Sequence, residues 1–407
     1  MVLFKVAWKN LFRNKRRTTS MMFSIAFGVS MMIFANGFND GMSAQWANFL
    51  INQTEGHLKV QHKEFYKYGL TDVEKIVIKD PKNLTAKIKE NPHVVAVMPT
   101  VAVVGLIGKD DNSTMFYGRL DDLSQKNEVL PDHGKNVLAG QPLSESDPNG
   151  VVIGKELARS INAKVGDELV ILSNTIHGEQ GSALVHVRGL LTFKDDPNAE
   201  QSVVLGGLSS TARQDWLDIG DSASELIVRL DDNKNVKDVV SWINNRLAQT
   251  DPSFIAVPWY SDEGFVIIMT VFNSIAIVVM IILSIIVSFV ISNAMMMSIF
   301  ERIKEVGTMR AVGLEKGHIY KLFYFETLLI SVIGGLLGII VGCLLILLGN
   351  YTGVSISSGM FEGVRPIMKP NNILVSFLVP IIFSFIMAFF TVRSSCSLTV
   401  VESLNYS

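Results

Sequence analysis

Residues 300–342, FERIKEVGTMRAVGLEKGHIYKLFYFETLLISVIGGLLGIIVG, place a short charged segment, Glu301 to Gly317, between two long apolar runs. Phe265 to Phe300 precedes it without a single charge, and a run with glycines at 334, 335, 338 and 342 follows. Apolar runs of this length read as membrane spans, and charges between two of them must lie in water. The segment is therefore a loop at a membrane surface. Within it Ile303, Val306 and Met309 recur at every third position, with Arg302, Glu305 and Arg310 between them. That spacing predicts a short helix with one apolar stripe, ended by Gly313, against an ordinary solvated loop as the competing reading.

The rest of the chain can be laid out from this anchor. Residues 1–18 carry Lys5, Lys9, Arg13, Lys15, Arg16 and Arg17 and no acid, and the apolar run Met21 to Phe38 follows. A cleavable signal peptide would look similar at first, but no small-x-small site with a polar start follows, so the run reads as an uncleaved first span. Basic residues collect on the cytoplasmic side of spans. The N-terminus and the 301–321 loop, with Arg302, Lys304, Arg310, Lys316 and Lys321, are therefore expected inside, and residues 46–262 outside.

The predicted order is an amphipathic cytosolic entry (1–18), span one with a stalk (19–45), the outer domain (46–262), then span two with its stalk (263–300). The coupling segment (301–321), span three (322–349), an outer loop (350–371), span four (372–393) and a cytosolic tail (394–407) complete it. Both termini are then cytoplasmic in a multi-pass membrane protein. Residues 46–262 hold 22 basic and 30 acidic side chains and the remainder 14 and 8, so the two parts are built for different surroundings. No basic patch stands among aromatics, which argues against nucleic acid as a partner. Of the two cysteines, Cys343 and Cys396, neither lies in the outer domain, so no internal disulfide staples it. As one helix, residues 265–299 would be about 52 Å long at 1.5 Å per residue. A hydrocarbon core is about 30 Å thick, so the excess projects or tilts.

The outer domain reads as mixed α/β. Lys75 to Lys79 (KIVIK) alternates like a strand, Asp80-Pro81 suits the N-cap and first position of a helix to Glu90, and Val94 to Ile107 is extended. A second such unit has ELIVRL at 225–230, a helix from Lys234 to Leu247 and SFIAV at 253–257. Residues 150–210 between them are rich in short strands and turns. This predicts one subdomain made from both ends, with a second inserted at about 150–210. The fold class expected is an α-helical membrane protein with four transmembrane helices and a large extracytoplasmic α/β domain of two subdomains between spans one and two.

Catalytic signatures are weak. The nearest approach to a phosphate loop, Gly150 to Glu156, has three residues between its glycines where four are needed and Glu where Ser or Thr would hold magnesium. It reads instead as a strand running into a helix. The seven histidines show no HExxH or i, i+4 partner, so no metal site and no cofactor is expected. The Asp-Asp pairs at 110–111, 121–122, 195–196 and 231–232 read as solvated turns. The chain is expected to be a non-catalytic membrane subunit.

The run Glu301-Arg302-x-x-Glu305-x-Gly307-x-Met309-Arg310-Ala311-x-Gly313, followed by Glu326 and a Gly-x-x-x-Gly span, resembles the coupling segment of the four-span ABC permeases. These are the lipoprotein-release, macrolide-exporter and cell-division type permeases, and WKNLFRNKRRT resembles their amphipathic entry helix. The resemblance implies that Glu301, Arg302, Glu305, Met309, Arg310, Ala311 and Gly313 couple to a cytosolic ABC ATPase dimer carried on a partner chain. It implies a second permease copy or paralogue, and helical stalks that carry motion to the outer domain. Gly56-His57-Leu58-Lys59-Val60, and the spacing from Val151 through Gly166-Asp167 to Val187-x-Gly189-Leu190, are most similar to lipoprotein-release members. The function so implied is extraction of a lipidated protein from the outer leaflet of the inner membrane. A macrolide- or peptide-exporter permease is the alternative, and a cell-division-type signalling scaffold the third reading. Some relatives dock a periplasmic carrier through a long hairpin, but the corresponding turn here, Ser173 to Ser182, is short. The tail Val401-Glu402-Ser403-Leu404 also lacks the family's proline.

Two further sets come from helical spacing. Gly334, Gly338 and Gly342 form a face that lets a neighbouring backbone approach, with Glu326 near the inner surface, where it either serves that face or snorkels to the interface. Phe34, Phe38 and Met42 on span one, and Phe265, Met269 and Phe272 on span two, form apolar stripes at the outer leaflet. These are candidates for a lipid path, against plain contact with membrane lipids or packing.

Overall fold

A computed structural model describes residues 8, 13, 15–68, 73–192, 197–209, 212–352, 356–358 and 361–395. Most of the expected entry segment, the tail with Cys396 and residues 401–404, and the Asp195-Asp196 pair lie outside the described residues. The chain divides into two compact units. One is helical (Met1–Ser43, Ile267–Ser357 and Gly363–Ser407); the other contains the sheet (Ala44–Val266 with Ser358–Glu362).

Among the described residues, four helices are long and apolar enough to cross a membrane: Thr18–Thr54, Gly264–Glu301, Lys316–Thr352 and Pro370–Arg393. The third starts earlier than the expected 322, because its first turns already bury Ile319 and Leu322 while Lys316, His318 and Lys321 stay exposed. In the helical unit Met21, Ile25, Val29 and Ile33 of the first helix meet Val287, Ile291, Met295 and Ile299 of the second, with Phe323, Ile330 and Ile346 of the third. Neighbours in the first two series are four residues apart, so each helix buries one stripe. Two buried serines of the second helix bond to the backbone one turn back, whereas the Ser298 and Ser331 hydroxyls are buried without a partner among the described residues. Ser284 donates to the Met280 carbonyl (2.8 Å) and Ser288 to that of Ser284 (2.7 Å).

Among the described residues, the main sheet of this unit has ten strands: β1 Leu58–His62, β2 Val94–Lys109, β3 Asn112–Asp121, β4 Val137–Gly140, β5 Gly150–Gly154, β6 Glu168–Asn174, β7 Gln180–Leu191, β8 Val203–Gly207, β9 Glu225–Leu230 and β10 Phe254–Pro258. They form one sheet in the order β10-β1-β9-β2-β3-β8-β5-β7-β4, with β6 pairing β2 and β7. The pairs β3–β8 and β5–β7 are parallel. Two hydrophobic cores lie along it. Leu58, Val60, Val97, Leu226, Val228, Val239, Ile243 and Ala256 make one, from both ends of the segment. Val101, Val103, Phe116, Val151, Ile153, Ile171, Val187, Val204 and Trp216 make the other. The long strand β2 serves both, and the second core also takes Val77, so it is not confined to residues 150–210.

Local signals behave as their chemistry dictates. Asp80 caps Pro81–Ile88 by accepting from the Asn83 amide at 3.0 Å, and Gly150–Gly154 runs directly into the helix Lys155–Ser160. Two expectations need correction. KIVIK forms no strand: Val73–Lys75 is a 3-10 turn and Ile78 makes a single bridge to Ala223, because Ile76, Val77 and Ile78 are all buried and the stretch never alternates. The pair at 121–122 is no solvated turn either. Asp121 is 0% exposed, held by Arg119 Nε and Lys126 Nζ, each at 2.7 Å, while Asp122 caps Leu123–Val129.

Candidate coupling site

Helix Ile303–Ala311 follows the second long helix after one non-helical residue, Arg302 (φ −110°, ψ 16°). Glu305 in its first turn and Arg310 in its last complement the helix dipole. Gly313 ends it. The Gly313 amide donates to the Arg310 carbonyl and the Leu314 amide to that of Met309, each at 3.0 Å, around a φ of +99° at Gly313. This is a Schellman cap, which a residue with a Cβ adopts only under strain. Ile303, Val306 and Gly307 are buried and Met309 half-buried, whereas Glu301, Lys304, Glu305, Thr308, Ala311 and Gly313 are exposed.

The candidate coupling residues thus separate into two groups. Glu301, Glu305, Ala311 and Gly313 lie at the surface and Arg310 half-exposed, but Arg302 is only 6% exposed. The expectation that its charge lies in water fails, because the guanidinium turns inward to a carboxylate. Its Nη1 is 3.4 Å from Glu326 Oε2, its Nε 3.1 Å from Glu305 Oε2, and its Cζ 5.7 Å from the Phe323 ring centroid. Glu326, 3% exposed, does not snorkel. Glu305 also pairs with Arg13. Partial burial would raise the Glu305 carboxyl, but hydrogen bonds from Arg13 and Arg302 outweigh it and hold the group below its ordinary range. Sequence reasoning missed Val312, 85% exposed, and Leu314; the signal was apolar residues bracketing the glycine that ends a charged helix.

The glycine face of the third helix meets the first helix. A Cβ at Gly334 would lie 3.0 Å from Ile25 Cβ, one at Gly338 2.7 Å from Val29 Cβ, and one at Gly342 3.1 Å from Ile33 Cβ. The outer stripes divide. Met42 (2% exposed) and Met269 (7%) are buried, with Ser43 Oγ 3.0 Å from Met269 Sδ, so neither offers an open lining. Phe34, Phe38, Phe265 and Phe272 are half-exposed, and Phe265 meets Trp46 and Trp259 edge-on. A polar seam also went unread. Asp40, the only acid in the first 45 residues, is buried with Lys369 Nζ at 2.7 Å and with Asn372, and Asn36 donates to Ser376 Oγ at 3.0 Å.

In the sheet unit, the first long helix ends in a π-helical turn, Leu50–Thr54, gripped by side chains of the domain. Arg229 donates to Asn52 Oδ1 (2.7 Å), Asn136 to Gln53 Oε1 (2.6 Å), the Asp132 amide to the Asn52 carbonyl (3.1 Å) and Arg119 to the Thr54 carbonyl. Two guanidinium groups at a helix C-terminus oppose its partial negative charge. Glu55, Lys59 and Glu225 continue a buried ion network beside a cavity of about 150 Å3. Burial pushes the Glu225 carboxyl up, with Glu55 adding to the rise and Lys59 and Arg119 opposing it.

The two motifs similar to lipoprotein-release members have structural explanations here. Gly56 turns with φ +65°, where a Cβ would lie 2.6 Å from Ile227, and His57 accepts from the Leu230 amide (3.2 Å), so Gly56–Val60 docks β1 on β9. The Gly166 amide donates to the Val187 carbonyl (2.8 Å) and Asp167 binds Lys109 (2.6 Å). Neither motif points to a substrate.

A family model described as a MacB-like periplasmic core domain matches residues 18–246, and one described as an FtsX-like permease C-terminal matches residues 277–400. The macrolide export ATP-binding/permease protein MacB of Shewanella sp. (strain W3-18-1) is 22% identical over 418 residues, covering 98% of this chain and 60% of that protein. An uncharacterized ABC transporter permease of Methanocaldococcus jannaschii, MJ1507, is 24% identical over 246 residues, 54% of each chain. The chain spans 60% or less of the length of these curated relatives. Among solved structures, the periplasmic region of MacB from Actinobacillus actinomycetemcomitans covers 51% of this chain and is itself covered to 91%, at 11% identity and a TM-score of 0.34. With one model matching more than half of the chain and the other most of the membrane part after it, this protein belongs to the permease family that joins a MacB-like periplasmic core domain to an FtsX-like C-terminal domain.

Proposed function

We propose that the chain is the permease part of an ATP-driven exporter of the macrolide or peptide type, with ATP hydrolysis supplied by an ABC ATPase dimer outside residues 1–407. The observation that carries this reading is the helix Ile303–Ala311. It is short, charged and capped, stands between two membrane-crossing helices, and exposes Glu301, Glu305, Ala311, Val312 and Gly313. A partner docking there would move it, and the long helices would carry the motion. The gripped end of the first helix suits that task, since a transmitted force needs a joint that does not slip. A second permease copy would complete the machine. The relatives' names support export over lipoprotein extraction, and the motifs that favoured extraction are explained by folding.

In this reading residues 46–262 lie outside and the 301–321 loop inside. An impermeant thiol reagent on intact spheroplasts should label Cys at Asp111→Cys and spare Glu315→Cys; the opposite pattern refutes the orientation. In the helical unit the substrate meets the half-exposed Phe34, Phe38 and Phe272, and the buried Met42 and Met269 take no part in the lining. Coupling is tested by Val312→Asp and Arg310→Glu in the assembled complex. Both should insert normally yet lose substrate-stimulated ATP hydrolysis by the partner, and normal stimulation in both ends the assignment.

A further inference from the structure

Arg302 is the single residue at which the second long helix, Glu263–Glu301, gives way to the helix Ile303–Ala311. Backbone bonds continue around it. Its amide donates to the Ile299 carbonyl (3.1 Å) and its carbonyl accepts from the Val306 amide (2.9 Å), so the turn is tight, and the side chain runs inward. That course ends on Glu326, one turn beyond Phe323 on the third long helix. The two side chains are 8% and 4% exposed. Toward the surface, Glu305 and Arg13 extend the series, so charges of alternating sign run from 54% exposed at Arg13 to the buried Glu326.

Apolar packing already joins these elements, since Ile299, Val306, Ile319 and Phe323 share one core. An ion pair is not needed for burial, and a buried pair is a poor way to gain stability. Apolar surfaces can slide past one another by small steps, whereas a hydrogen-bonded ion pair admits one register. We propose that Arg302 is a positioning residue: through Glu326 it locks the helix Ile303–Ala311 to the third long helix, so that displacement of one moves the other. The inference rests on the coupling role proposed above and names the tie that role requires.

The test uses the assembled complex with Cys343 and Cys396 replaced by Ser. Arg302→Met should lower substrate-stimulated hydrolysis about tenfold, a coupling loss of ordinary allosteric size. Arg302→Lys, which keeps a positive charge between Glu326 and Glu305, should retain most of that stimulation. Because a single change leaves a buried charge alone and can hinder folding, Arg302→Met with Glu326→Met supplies the decisive variant. It should assemble, since no charge is stranded, and stay uncoupled. Spin labels at Thr308→Cys and Leu328→Cys read the tie without reference to hydrolysis. The distance distribution should be narrow in the otherwise unchanged chain and broad in the double Met variant. Full stimulation and a narrow distribution in the double Met variant would overturn the inference. If instead Val312→Asp and Arg310→Glu leave stimulation normal while the labels respond as expected, the ATPase contact fails and the tie stands.

Discussion

The buried charges of the sheet unit supply a prediction with a sign and a size. Asp121 is 0% exposed and accepts from Arg119 Nε and Lys126 Nζ, each at 2.7 Å, and Lys126 is itself 2% exposed. Asp121→Ala strands the ammonium in an interior that cannot solvate it. Breaking one side of a buried pair costs about 3–5 kcal/mol. At about 2–4 °C per kcal/mol for a domain of this size, the melting midpoint should fall by about 6–20 °C. Asp121→Ala with Lys126→Met removes the stranded ammonium and should recover part of the loss, the remainder being the carboxylate that Arg119 no longer meets. All tryptophans but Trp8 lie between positions 46 and 259, and Trp216 is buried in one of the cores. Intrinsic fluorescence of the detergent-solubilised chain therefore follows the sheet unit. The pH dependence has a definite direction too. Burial would raise the Asp121 carboxyl, but Arg119 and Lys126 hold it below its ordinary range. Its contribution is present above the unfolded value near 3.8 and is lost as pH falls through the lower folded one. A midpoint for Asp121→Ala within about 2 °C of the unsubstituted chain at pH 7 would refute the reasoning.

Two further outcomes follow from packing and titration. Gly338→Leu would drive a Cβ to within 2.7 Å of Val29 and 2.8 Å of the Ala26 carbonyl, and overpacking of this kind costs about 1–3 kcal/mol or more. The temperature of aggregation in detergent should drop, whereas Gly349→Leu, with nothing within 4 Å, should leave it unchanged; equal behaviour of the two would count against the close approach. His57 titrates at about 4 rather than 6.5, chiefly because it is buried and secondarily because Arg229 is near. The unfolded chain therefore takes up this proton first as pH falls, so stability should be level above about pH 6.5 and decline between there and pH 4. The urea midpoint compared at pH 7 and pH 5 should show that decline, and His57→Asn should flatten it; an identical slope in the variant would remove His57 as its cause.

Much of this protein was legible in the order of its residues because the information was local. The spanning helices follow from apolar length, the helix Ile303–Ala311 from a three-residue period and its closing Gly313, and the cap at Asp80 from one dipeptide. The glycine face at 334, 338 and 342 follows from four-residue spacing. KIVIK misled because alternation describes a strand with one wet face, and Ile76, Val77 and Ile78 are all buried. What only the tertiary structure decided was the fate of individual charges. Arg302, Asp121, Asp40 and Glu326 look in the sequence like groups bound for water, yet each is buried with a partner 2 to 329 positions away. A charge is buried only where a counter-ion is buried with it. For Asp40, Arg302 and Glu326 another segment returns to bring it; for Asp121 the strand and the helix after it turn Arg119 and Lys126 inward. No local pattern records either. The same holds for Met42 and Met269, whose apolar spacing is the same whether a stripe meets lipid, substrate or another helix; packing alone placed both inside.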